Sequence, residues 1–170
     1  TCILLAAGLS SRFGSPKALA RLKGETVIEQ LQKNLLETSL AQIIIVLGAS
    51  VQQIQPFILK HTKIRFVYNK DYNLGQTSSF KAGLKNADPV SQGIMLLPVD
   101  YPGVKNQTFE ILINSFLEKK PLILVPTYNG RKGHPPLFST HLNDEFLGLD
   151  NDLGINTIIH EHTQDTLLLP

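Results

Sequence analysis

Apolar runs of strand length alternate along this chain with segments whose apolar residues recur at helical spacing. Cys2 to Ala6 reads as a first strand. Thr26 to Leu36 places Val27, Ile28, Leu31, Leu35 and Leu36 on one helical face, with Glu25 and Thr26 as candidate caps. Ile43 to Leu47 is a β-branched run ended by Gly48, the pattern of a strand buried on both faces. Val51, Ile54, Phe57 and Ile58 predict a short helix, and Ile64 to Tyr68 a third strand. Ser78 to Ala87 predicts a helix with a thin apolar stripe. Ile94 to Leu97 is a fourth strand cut off by Pro98; Phe109 to Leu117 is a helix; Leu122 to Val125 is a fifth strand cut off by Pro126. The tail is less regular, with helical patterns near Leu142 to Leu147 and Ile155 to Ile159 and a strand-like Thr166 to Leu169. Such alternation predicts an α/β fold: a doubly wound, mostly parallel sheet with helices on both faces.

In sheets of this kind ligands sit beyond the carboxyl ends of the strands, where the strand order reverses. One loop follows the first strand, and Pro98-Val99-Asp100-Tyr101-Pro102 follows the fourth. If those strands are neighbours at the reversal, Asp100 lies near Gly8, Arg12 and Lys17. The first loop runs Ala7-Gly8-Leu9-Ser10-Ser11-Arg12-Phe13-Gly14-Ser15-Pro16-Lys17. Its small residues let backbone N–H groups approach phosphate oxygens. Arg12 supplies a guanidinium fork and Lys17 a mobile point charge. The loop is not a Walker A motif, because Phe13 and Gly14 stand where that pattern needs glycine and lysine. Nor is it the dinucleotide fingerprint, since Ser10 replaces the second glycine.

Composition narrows the class. The 170 residues fit the size of one domain, with 42% hydrophobic and 18% charged residues, which is globular rather than disordered. A net charge of +2 gives no reason to expect nucleic acid or an acidic membrane as partner, and no apolar run has the length of a membrane span. Cys2 is the sole cysteine, so no intrachain disulfide forms, which favours a reducing, cytoplasmic setting. The opening Thr1-Cys2-Ile3-Leu4-Leu5 reads as a strand already under way rather than an initiator methionine or a signal peptide, so the chain is expected to be trimmed at its N-terminus.

Five segments in order carry a resemblance. Leu5-Ala6-Ala7-Gly8 with Ser10, Arg12, Gly14 and Lys17 resembles the signature of the MobA-like, molybdenum-cofactor-type nucleotidyltransferases, which have a Rossmann-like fold. Asn69, Tyr72, Gly75, Gln76, Ser78, Ser79 and Gly83 are similar to the segment after the family's third strand. Pro98 to Pro102 resembles its acidic metal loop, Gly130 to Phe138 its Gly-His-Pro segment, and Leu149 to Gly154 its later Gly-Asp-x-Gly element. The alanine at position 7 is similar to the cytidylyltransferase branch; the guanylyltransferase branch usually has glycine there. Two features depart from the pattern. Asn151, Ile155 and Asn156 replace a glycine and an Ala-Arg pair, and the sequence stops at Pro170, so the acidic, proline-containing segment that often follows is either absent or not covered.

The resemblance implies a single nucleotidyltransferase domain over residues 1–170 that moves a nucleoside monophosphate, CMP from CTP, onto a phosphate-bearing acceptor and releases pyrophosphate. Molybdopterin is the acceptor so implied, Mg²⁺ the cofactor, and a molybdoenzyme a transient partner. Lys17, Arg12 and Asp100 are the implied catalytic residues. Leu5, Ala6, Ala7, Gly8, Ser10, Arg12, Gly14, Lys17, Asn69, Gln76 and Ser79 would bind the nucleotide. Asp100 and Asp152 would bind the metal, and Gly133, His134 and Pro135 the acceptor. Other readings stay open. GTP can be the donor, or a sugar or polyol phosphate the acceptor. A nucleotide-binding regulatory or cofactor-carrier module would need no Lys17 or Asp100, yet both are present. Asp100 also suits a turn or cap between prolines, Asp152 a helix cap, and Asn69 a turn. His160 and His162 diverge on a helix and read as surface.

Overall fold

The computed structural model describes residues 1–9 and 14–170. In chain order the strands and helices begin with β1 (Cys2–Ala6), the small hairpin of β2 (Arg21–Leu22) and β3 (Glu25–Thr26), α1 (Val27–Leu36), β4 (Ile43–Leu47) and α2 (Val51–Ile54). They continue with β5 (Ile64–Tyr68), α3 (Gln76–Leu84), β6 (Gly93–Pro98), α4 (Asn106–Lys119) and β7 (Ile123–Tyr128). The last are β8 (Arg131–Lys132), β9 (Leu137–Ser139), α5 (Asn143–Gly148), α6 (Asn156–Glu161) and β10 (Thr166–Leu169).

Among the described residues, the main sheet runs β10-β7-β9-β6-β1-β4-β5, with β8 paired to β7. The pairs β1–β4, β1–β6, β4–β5 and β7–β10 are parallel, while β9 is antiparallel to both β6 and β7. The expected mostly parallel sheet is therefore present, with β9 as an insertion that the periodicity did not reveal. Leu137 and Phe138 follow two prolines in a run too short to show a period, and only pairing with Met95, Ile94, Leu124 and Ile123 makes them a strand. Strand β7 does not stop at Pro126. The proline lacks an N–H, but its carbonyl accepts a hydrogen bond from the Gly133 N–H at 2.8 Å, and pairing continues to Tyr128. Helix α3 begins two residues earlier than its apolar stripe, because Gly75, at φ +96°, breaks the preceding turn.

Alternate residues of each strand serve opposite faces, as the strand period requires. Leu4, Ile45, Leu97 and Leu124 pack under α1 and α4. Ile3, Ile44, Leu96 and Ile123 pack under α3, α5 and α6. Helix α1 is started by a capping box: the Thr26 hydroxyl accepts from the Glu29 N–H, and the Glu29 carboxylate accepts from the Thr26 N–H at 3.0 Å. On the second face Phe80 of α3 meets Phe146 of α5 edge-on at 5.0 Å, and Phe146 meets Phe138 of β9 at 4.8 Å. Helix α3 lies close on the sheet at Gly83, where a Cβ would come within 2.5 Å of the Ile3 Cγ2. These contacts set the position of the α3 N-terminus at the carboxyl edge of the sheet.

Phe146 is 1% exposed and joins α5 to both partners. Truncation in Phe146→Ala is expected to lower unfolding stability by about 3–5 kcal/mol, as for other buried aromatic deletions, measured by equilibrium denaturation.

Candidate active site

The first and fourth long parallel strands, β1 and β6, are neighbours, with Leu5 opposite Pro98. Sheet order reverses between them, so the loops that leave their carboxyl ends part and enclose a crevice. The cavity there is about 370 Å³. Leu5, Ala6, Ala7 and Gly8 line it from β1 and the residues just beyond, and Pro98, Val99 and Asp100 from the end of β6. Lys17, on a short 3₁₀ turn of residues Lys17–Leu19, projects into the same space. Its Nζ donates to Asp100 Oδ2 at 3.3 Å, across 83 residues of sequence. Both side chains are more than 40% exposed, so water screens the pair and its weight lies in geometry rather than stability.

Gln76 and Ser79 of α3 form the opposite wall. Tyr72 and Asn73, on the turn before Gly75, line it too. Sequence reasoning placed Tyr72 in a motif but not in the cavity, and Asn73 in neither, because nothing in their spacing says that this turn leans over the crevice. The approach depends on Gly48, where a Cβ would lie 2.6 Å from both the Ala7 carbonyl oxygen and the Tyr72 Cβ. That carbonyl accepts from the Ala49 N–H at 3.2 Å, which clamps the end of β4 to the strand-to-loop junction.

Other expected site residues fall elsewhere. Ser10 and Arg12 lie outside the described residues. Gly14 is exposed and does not line the cavity. Asn69, expected at the nucleotide, is 5% exposed and does not line the cavity either. Its amide N–H₂ donates to the hydroxyls of Ser78 and Ser79 at 2.8 and 3.2 Å, and its carbonyl accepts from the Asp71 N–H. It organises the turn that presents Ser79, since a buried amide must satisfy its own hydrogen bonds first. Asp152 is exposed in a turn that is not part of the cavity lining. The next residue, Leu153, accepts a hydrogen bond from the Thr77 hydroxyl at 2.6 Å, which docks this turn on the start of α3.

Gly133, His134 and Pro135 lie between β8 and β9. The His134 ring packs against Tyr101, with centroids 4.4 Å apart. Burial pushes the imidazole below its ordinary pKa, and the charge of Asp100 partly opposes this. The histidine thus packs on the Asp100 loop through Tyr101. Cys2 is fully buried, which pushes its thiol up to about 12, so no thiolate nucleophile is present at neutral pH.

The MobA-like NTP transferase domain matches residues 2–166. The chain belongs to the MobA-like NTP transferase family. It is accordingly a nucleotidyltransferase. It is 30% identical over 141 residues to proteins named probable molybdenum cofactor guanylyltransferase from Bacillus cereus and Bacillus mycoides, spanning 83% of this chain and 67% of theirs. Its structure is similar to Rv0371c from Mycobacterium tuberculosis, with a TM-score of 0.85 at 27% identity, covering 99% of this chain and 85% of that one. A further structure of that mycobacterial protein, in complex with manganese, aligns over 99% of this chain and 85% of that one, with a TM-score of 0.81 at 25% identity. In this MobA-like chain no helix among the described residues is long and apolar enough to cross a membrane.

Because the folded pKa of His134 is lowered, the folded chain resists protonation there. Its contribution to stability is complete above the ordinary value of 6.5 and is lost as pH falls through the folded midpoint. An NMR titration of the metal-free protein should therefore place the His134 midpoint below 6.5. His134→Gln should flatten that part of the stability–pH profile.

Proposed function

We propose that this chain, acting as one domain in the cytoplasm, transfers a nucleoside monophosphate from a nucleoside triphosphate to the phosphate of molybdopterin. The observation that carries the proposal is the meeting of Lys17 and Asp100 in the crevice between β1 and β6. The cytoplasmic setting is supported by the single cysteine, Cys2. In the reaction, an acceptor phosphate oxygen forms a bond to the α-phosphorus. The bond from that phosphorus to the bridging oxygen breaks, and the electron pair leaves on pyrophosphate. Negative charge builds on the α-phosphate oxygens and the leaving group, so catalysis is largely a matter of placing positive charge. Lys17 supplies one such charge within the cavity. Arg12 is proposed as a second on the motif alone. No protein nucleophile is needed.

The donor set fits a hard divalent cation that takes one or two carboxylates and completes its shell with water and phosphate oxygens. Asp100 offers such a carboxylate on the cavity wall, and among the described residues no cluster of three or more His, Cys, Asp or Glu forms a closed protein cage. Mg²⁺ held there by Asp100 would act as a Lewis acid toward the triphosphate; Asp152, outside the cavity lining, is proposed as a second oxygen ligand on the motif alone. Gly8, Gln76 and Ser79 would bind the nucleotide and His134 the acceptor.

CTP is the donor proposed here, supported by Ala7, whose side chain is 3% exposed on the cavity wall. A GTP reading is favoured by the names of the 30% identical relatives. The two are separated by pyrophosphate release with each of the four triphosphates, with and without molybdopterin. CTP-dependent release that requires molybdopterin is expected. Release with GTP alone overturns the base assignment, and no release with any triphosphate overturns the acceptor. Asp100→Asn and Lys17→Ala are each expected to lower kcat about 10²–10³-fold with the fold intact by circular dichroism, in keeping with the loss of one transition-state contact. Magnesium-dependent turnover unchanged in Asp100→Asn would remove Asp100 as the metal ligand.

A further inference from the structure

Asp100 lines the cavity shared with Lys17. Its sequence neighbour Tyr101 packs on His134, whose charge state Asp100 also influences, and neither ring lines that cavity. Their rings sit 4.4 Å apart at an interplanar angle of 40°. His134 Nδ1 is buried and has no hydrogen-bond partner among the described residues. Imidazole rings in functional sites are usually oriented by a hydrogen bond on one nitrogen. At Nδ1 no such bond is made among the described residues, so the contact with Tyr101 bears on how this ring is held. Tyr101 keeps 39% of its surface in water although it follows the site carboxylate directly and is packed by a second aromatic ring. Single exposed aromatics are ordinary, and Tyr128, 80% exposed on β7, has no ring partner among the described residues. Tyr101 differs in having a ring neighbour and a place directly after Asp100, which lines the cavity.

We propose that Tyr101 is a specificity-determining residue of the acceptor side, and that with His134 it forms an aromatic platform selecting acceptors that carry a planar heteroaromatic ring. Stacking is sequence-blind chemistry: any flat π-face is held, whereas a sugar or polyol phosphate presents none. The platform sits beside Asp100, so a ring seated there would leave an attached phosphate within reach of the cavity where the α-phosphorus is expected. Tyr101 contributes ring area and His134 orientation. Neither role requires the tyrosine hydroxyl. The inference rests on the acceptor-side reading given above and sharpens it, because it separates a pterin from the polyol phosphates that a related chemistry would use.

The test uses two probes of equal phosphate charge, a pterin bearing a side-chain phosphate and erythritol phosphate, with binding measured by calorimetry. The unaltered protein is expected to bind the pterin phosphate about tenfold or more tightly than the polyol phosphate, the scale of one stacked ring. Tyr101→Leu should remove that preference while leaving triphosphate affinity and polyol phosphate binding within about twofold, and Tyr101→Phe should restore it. Equal binding of both probes by the unaltered protein overturns the proposal without reference to any variant. Equal weakening of both probes in Tyr101→Leu also overturns it, since a phosphate or loop effect would then suffice. Failure of the transfer reaction is read separately. Ring preference without pyrophosphate release from molybdopterin keeps the platform and removes the proposed transfer. Turnover of molybdopterin with KM and kcat unchanged in Tyr101→Leu keeps the transfer and removes the platform.

Discussion

Everything at the candidate site depends on the parallel pairing of β1 with β6. That pairing brings residue 5 opposite residue 98 although more than half the chain lies between them. It holds because both strands are buried on both faces, with Ile3, Leu4, Leu96 and Leu97 at 2% exposure or less. A slip of one residue would exchange the two apolar sets between faces of the sheet and break both layers of packing at once. The register of the core is thus what places Lys17 and Asp100 within 3.3 Å of each other. The pair itself is half in water and stabilises little.

A second layer of constraint comes from the α3 side. The aromatic contacts of Phe80, Phe138 and Phe146 and the close approach at Gly83 seat the helix, and Gly48 lets Tyr72 and Ala7 meet. The buried Asn69 amide then ties the preceding turn to Ser78 and Ser79. Polar groups on this wall are therefore of two kinds. Asn69 is consumed in building the wall, while Gln76 and Ser79 also line the cavity. Such a division is common where a loop must be rigid to present ligand contacts, since unsatisfied buried amides are costly.

Family membership and the proposed chemistry meet at Asp100. The MobA-like domain match covers nearly the whole chain, and the carboxylate beyond the end of β6 both lines the cavity and acts electrostatically on His134 of the aromatic pair. A reaction between a triphosphate and a phosphate-bearing acceptor needs such a point, because two anionic groups must be brought together against their mutual repulsion. Positive charge from Lys17, together with a divalent cation held by Asp100, would offset that repulsion on the donor side.

The alternation of apolar runs specified the sheet class, strands β1, β4 and β5 to the residue, and the burial of β4 on both faces, because period and β-branching act locally. The spacing of Gly8, Lys17 and Asp100 likewise made the crevice legible once β1 and β6 were taken as neighbours. The cavity walls were not legible in the same way. Whether Asn69 faces a ligand or its own turn, whether Pro126 ends a strand, and whether Leu137 to Ser139 pair at all depend on partners distant in sequence. So does the packing of Tyr101 on His134. Local preference cannot choose among such outcomes, since each is decided by which buried hydrogen bonds and ring contacts the closed tertiary structure leaves to be made.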